Sequence, residues 1–185
     1  MILVSCSANS GHIGSPLVTS KVSDKTECVV LVHGLWRDGL SMGSIANNLE
    51  EHGYQTISTD YPSTQENIPD LVQGYLSKSY NGCVKTGAEK IHFVSHSMGG
   101  ILIRQFLQGR SLPTGSKVVM LSPPNQGSEL SDKFGDTWWY RWAVGPAGIS
   151  LSTNQNGIIS QLKKIDASVG IIAAYRDWSY WPEAW

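Results

Sequence analysis

Ser97 is the residue in this sequence best suited to nucleophilic chemistry. It lies in Phe93-Val94-Ser95-His96-Ser97-Met98-Gly99-Gly100, where an apolar run stops at a serine and apolar residues resume at helical spacing behind two glycines. A strand that passes into a helix within two or three residues forces the residue at the apex into a strained conformation, and small neighbours are needed for the chain to turn. Ser95, Gly99 and Gly100 are such neighbours. The turn lifts the Ser97 hydroxyl above the sheet at the start of a helix. There the N–H of Met98 faces any oxyanion forming on an attacked carbonyl, and the helix dipole assists it. A second donor is expected from His33-Gly34-Leu35-Trp36, behind another apolar run: the N–H of Leu35, or that of Trp36. Two such motifs at strand ends say more than a serine that merely caps a helix.

A serine hydroxyl is a poor nucleophile at neutral pH and needs a base to take its proton. The five histidines are His12, His33, His52, His92 and His96, and all precede Ser97. His96 is adjacent, but neighbouring side chains on an extended turn diverge. His33 is expected to hydrogen-bond the second donor loop and is the base candidate. His92 reads as a core or sheet-end residue, His52 as the close of a helix, where positive charge is favoured, and His12 as part of a polar tail. The acids after Ser97 are Glu129, Asp132, Asp136, Asp166, Asp177 and Glu183. Asp177, just past the run Val169 to Ala174, is the candidate acid.

The elements that must hold these residues alternate. Apolar runs predict strands over 27–33, 54–60, 90–95, 117–121 and 169–174, and helical spacing predicts helices over 39–53, 64–80, 98–108 and 156–164. Such alternation means right-handed crossovers and an open, mostly parallel sheet with helices on both faces. Ligands in such folds sit at the carboxyl ends of the strands, so the loops at 33–36, 95–99 and 122–128 should gather there.

With 185 residues, 41% hydrophobic and 16% charged, the chain suits one domain with a sizeable core. A formal net charge of -1 gives no reason to expect nucleic acid as a partner. No apolar run approaches the roughly 18 residues that span a bilayer. Neither metal-ligand spacing nor a nucleotide fingerprint is present, so no metal or cofactor is expected. Beyond residue 137 lie six of the seven tryptophans. Trp138, Trp139 and Trp142 join Tyr140 in one cluster, and Trp178, Trp181 and Trp185 join Tyr180 in another. Both segments read as loops, forming either an acyl-binding wall or small lid, or packing over an exposed sheet edge.

Three blocks, "VVLVHGLWRDGLSMGSIANNLEEHGYQTISTDYPST", "IHFVSHSMGGILIRQFL" and "VVMLSPPNQGSEL", together resemble bacterial lipases and esterases of the α/β-hydrolase fold. The resemblance runs from about Cys28 to Asp177. It implies a three-layer α/β sheet and hydrolysis of a small-molecule or lipid ester through an acyl-enzyme on Ser97, by a monomer without cofactor. It further implies Leu35 and Met98 as oxyanion donors, and Trp36, Asn125 and Gln126 as substrate-binding residues. In the resembled family the order is serine, acid, histidine, and a last strand and loop bring the histidine. This sequence reaches Trp185 before those elements. Three accounts follow, in this order: a fragment of a longer enzyme, an inactive natural truncation, or weak turnover with His33. The expected organisation is a tail over 1–27 and a hydrolase domain over 28–185 that lacks the last strand and helix. Acyl transfer, and acyl or lipid binding without catalysis, are the alternative functions.

Leu3-Val4-Ser5-Cys6 resembles a bacterial lipobox, although only five residues precede Cys6 where a signal peptide needs about 7–15 apolar ones. The start lies inside a longer signal peptide, or the tail carries a chance cysteine. A lipobox would mean membrane attachment through Cys6 and a cell-envelope or periplasmic place, favoured over the cytoplasm. Cys28 and Cys83 read most simply as two buried thiols. The strand order that the resemblance implies sets the first and third strands side by side, which also brings these cysteines within reach of a bridge, far from Ser97.

Overall fold

The structure, a computed structural model, describes residues 27–153 and 157–173. Five strands form one all-parallel sheet in the order β2-β1-β3-β4-β5. They are β1 (Glu27–Val32), β2 (Gln55–Thr59), β3 (Lys90–His96), β4 (Lys117–Leu121) and β5 (Ser168–Ile172). Every strand lies within about two residues of its predicted span. The long apolar runs made them legible, since a strand covered on both faces needs apolar residues throughout.

β1 shows this best: Cys28, Val29, Val30, Leu31 and Val32 are all buried. Cys28, Val30 and Val32 face one core with Ile91, Phe93, Val118 and Met120. Three helices close that core: α2 (Ile68–Leu71), α3 (Ser77–Lys85) and α4 (Gly99–Phe106). Val29 and Leu31 face the other side, against Met42 and Ala46, the latter on α1 (Gly43–Glu51). The three-layer arrangement is therefore present. At the amino end of the sheet, Glu27 accepts from Lys90 Nζ at 2.5 Å and from His92 Nε2 at 3.0 Å. The Lys117 N–H donates to His92 Nδ1 at 3.0 Å, which fixes the tautomer and ties β1, β3 and β4 together. His92 is thus the sheet-end residue expected, and His52 bonds the Asn48 carbonyl at 2.7 Å as α1 closes.

Three expectations need correction. The single helix predicted over 64–80 is α2 and α3 joined by a π turn, Val72–Leu76, and it runs on to Lys85. Asn67 sets its start by accepting the Asp70 N–H at 2.9 Å, and Ser77 Oγ donates to the Val72 carbonyl at 2.9 Å beside the widened turn. The aromatic segment read as loop is helical: α5 (Glu129–Phe134) is followed by α6 (Trp138–Ile149). Gly145 and Pro146 do not end α6 but kink it. Gly145 takes φ 65°, and Pro146 restarts the helix at a position where its missing N–H is no loss. The second half of α6 lies against the loops after β1 and β2. Finally, Cys28 and Cys83 are not free thiols. They form a disulfide with a Cα separation of 5.7 Å, linking β1 to α3. A short helix, α7 (Ile158–Gln161), stands within the span 156–164 predicted as a longer one.

Candidate active site

The chain runs from β1 outward to β2 and then back across β1 to β3, so the carboxyl ends of β1 and β3 flank the point where the strand order reverses. Crevices for ligands form at such points. Among the described residues, three non-glycine positions have left-handed backbones: Trp36 at φ 56°, Ser97 at φ 51° and Ser122 at φ 45°. Each follows a strand, β1, β3 and β4 in turn, so this strain gathers at the carboxyl end of the sheet.

Ser97 stands on the turn between β3 and α4, partly exposed, with its N–H donating to the Leu121 carbonyl at 2.8 Å. The close turn needs the glycines behind it. A Cβ on Gly99 would lie 2.5 Å from the Val32 carbonyl oxygen and 2.6 Å from that of His33, so α4 can start here only against bare backbone. The same packing draws in the loop after β1. A Cβ on Gly34 would lie 3.1 Å from both Ser97 Cβ and His96 Nδ1. The predicted donor loop and the predicted nucleophile are therefore in contact.

Among the described residues, neither the Leu35 N–H nor the Met98 N–H has an acceptor. The Trp36 N–H does: it donates to Ser63 Oγ at 3.1 Å. Of the two N–H groups expected as second donor, only that of Leu35 is without an acceptor among the described residues. Met98 is fully buried and Leu35 partly so.

No histidine hydrogen-bonds Ser97 among the described residues. His33 is buried, its ring stacked on Tyr61 with centroids 3.9 Å apart. Its Nδ1–H donates to the Gly34 carbonyl at 2.8 Å, which leaves Nε2 bare and without a partner. Burial holds its pKa below the usual histidine range. His33 bonds the loop after β1, as expected, and makes no hydrogen bond to Ser97 among the described residues. His96 is exposed beside the nucleophile. Asp177, the candidate acid, His12 and the C-terminal aromatics lie outside the described residues.

The proposed substrate-binding residues separate into two places. Trp36 is 64% exposed, and it borders a cleft of about 600 Å³ with Arg37, Asp60 and Tyr75. Asn125 and Gln126 instead border a smaller cleft of about 300 Å³ with Arg104 and Met120. Asn125 Oδ1 accepts from Arg104 Nη1 at 3.2 Å, and Arg104 Nη2 reaches the Leu162 carbonyl at 3.3 Å. The Asn125 oxygen is therefore engaged in holding its loop. Tyr61, Ser63 and Ala143 also belong to the site, and sequence reasoning missed them. Nothing in their local pattern marks them, because each acts on a residue at least 27 positions away.

A model of the alpha/beta hydrolase family matches residues 29–183. No curated protein matches the chain. Among solved structures, phospholipase PlaB from Legionella pneumophila is similar at TM-score 0.63 and 16% identity, over 80% of this chain and 39% of that one. Lipase BlEst2 from Bacillus licheniformis in mature form aligns at TM-score 0.60 and 21% identity, over 80% of this chain and 66% of that one. A monoacylglycerol lipase from Paleococcus ferrophilus aligns at 0.54 and 18%, over 80% and 74%. At these identities the likeness is one of fold, and the chain spans well under half of PlaB.

Proposed function

This chain belongs to the alpha/beta hydrolase family, and on that premise we propose that it hydrolyses carboxylic esters through an acyl-enzyme on Ser97. The observation that carries the reading is a strained serine in contact with a loop whose Leu35 N–H is free, with the Met98 N–H free beside it. Ser97 Oγ would attack the ester carbonyl carbon and give up its proton to a base. The two N–H groups would receive the oxyanion, a contribution worth about 3–4 kcal/mol per donor in comparable sites. Collapse expels the alcohol, which takes back the proton, and water then attacks the acyl-serine by the same route. None of the four described histidines hydrogen-bonds Ser97, and His33 remains the base candidate among them.

The test is covalent labelling of the full-length protein that carries this sequence. A fluorophosphonate probe should modify it, and Ser97→Ala should abolish the signal. An unmodified protein, or a signal that survives Ser97→Ala, would overturn the proposal. Acyl transfer uses the same acyl-enzyme and differs only in whether an alcohol or water accepts the acyl group. The other reading is a protein of the same fold that binds acyl chains without turnover; saturable fatty-acid binding with no labelling would support that instead.

Membrane attachment through Cys6 is part of the same proposal, and it rests on the Leu-Val-Ser-Cys resemblance. The full-length protein should sediment with membranes and Cys6→Ser should release it; a soluble native protein with unmodified Cys6 would refute it. The Cys28–Cys83 bridge supports a place outside the reducing cytosol.

A further inference from the structure

The loop from His33 to Trp36 has no helix or strand to hold it, yet its Leu35 N–H must point at one spot within a few tenths of an ångström to stabilise an oxyanion. What fixes it is the turn after β2. Tyr61 Oη donates to the His33 carbonyl at 2.5 Å, while its ring stacks on the His33 imidazole at an interplanar angle of 10°. Two residues on, Ser63 Oγ accepts the Trp36 N–H at 3.1 Å. The two ends of the loop are thus bound to Tyr61 and Ser63, and the Leu35 N–H between them is left without an acceptor. Both side chains are nearly buried, Tyr61 at 4% exposure and Ser63 at 5%, so water does not compete for these bonds. Burial also pushes the Tyr61 phenol well above its ordinary pKa, so it remains a donor at any pH near neutrality.

The far side of the loop is held as well. Trp36 Nε1 donates to the Ala143 carbonyl of α6 at 2.6 Å. α6 in turn rests on the same turn: a Cβ on Gly145 would fall 1.7 Å from the Thr64 carbonyl oxygen. The bare backbone at Gly145 is therefore what lets α6 approach Thr64, two residues from the Ala143 carbonyl that takes the Trp36 bond.

We infer that Tyr61 and Ser63 are positioning residues for the oxyanion site: they clamp the two ends of the His33–Trp36 loop so that the Leu35 N–H is held in place beside Ser97. The catalytic part of this rests on the reading of Ser97 given above; the clamp itself does not. Tyr61→Phe keeps the ring stacked on His33 and removes only the bond to its carbonyl. Ser63→Ala removes only the acceptor of Trp36.

Two measurements on the full-length protein decide it. In fluorophosphonate labelling, Tyr61→Phe should lower the maximal inactivation rate constant about tenfold with the probe's binding constant unchanged, as expected of a misplaced donor. In native-state amide exchange, the Trp36 N–H should exchange about tenfold faster in both variants, while the β1 amides keep their protection. Ser77→Ala, which loses a comparable bond to Val72 remote from the loop, should do neither. Unchanged exchange at Trp36 in both variants would refute the clamp. Faster exchange with an unchanged inactivation rate would refute the positioning role. A wild-type protein that the probe does not label would sink the Ser97 reading, and Trp36 exchange would still decide the clamp.

Discussion

The surroundings of the two His33 nitrogens favour the neutral imidazole. Nδ1 gives its proton to the Gly34 carbonyl, and Nε2 has no partner among the described residues, so a second proton would leave a buried cation unpaired there. Burial lowers its pKa below the ordinary value of 6.5. The unfolded chain then binds more protons than the native one between the two values. Stability from this group is full above about pH 6.5 and is lost as the pH falls through the folded value, with a limiting slope near 1.4 kcal/mol per pH unit. Urea unfolding midpoints between pH 7.5 and 5 should fall for the wild type and fall less for His33→Gln. Parallel pH profiles for the two proteins would show that His33 does not report burial in this way.

At the scale of elements, legibility followed distance along the chain. β1, β3 and β4 could be read because each carries its whole burial pattern within five to seven residues. The turn at Ser97 could be read for the same reason: strand, apex and glycines are contiguous. α6 could not. Gly145-Pro146 looks like a terminator, and only the approach of Thr64, some 80 residues earlier, gives that break its use. The tryptophans of α6 misled similarly, since Trp138 and Trp142 are 80% and 84% exposed while Tyr140 turns inward to Ser131 Oγ at 2.9 Å. A surface of that kind has no apolar stripe to announce a helix. Asn125 has its place facing substrate from the family resemblance, and its own surroundings could not be read locally. Its partner, Arg104, sits on α4, 21 residues earlier, and no local pattern couples them.

At the scale of the molecule, the sheet separates what stabilises from what reacts. The disulfide joins Cys28, second residue of β1, to Cys83 on α3. Ser97 and the donor loop lie beyond the other ends of β1 and β3, about five residues or roughly 17 Å along the strand. The bridge closes a span of 55 residues that contains α1, β2 and α2, so it removes much of the freedom of the unfolded chain. Chain-entropy reasoning gives about 4 kcal/mol for such a loop. Both sulfurs are fully buried and would still pack as apolar groups when reduced, so part of the core contact survives cleavage. Reduction, or the double substitution Cys28→Ala and Cys83→Ala, should therefore lower the melting midpoint by about 10 °C in a domain of this size. Fluorophosphonate labelling of Ser97 in the reduced protein, well below its new midpoint, should be unchanged. A shift of less than about 2 °C would mean the cross-link adds little beyond the packing around it. A loss of labelling without unfolding would mean the two ends of the sheet are coupled, contrary to the separation drawn here.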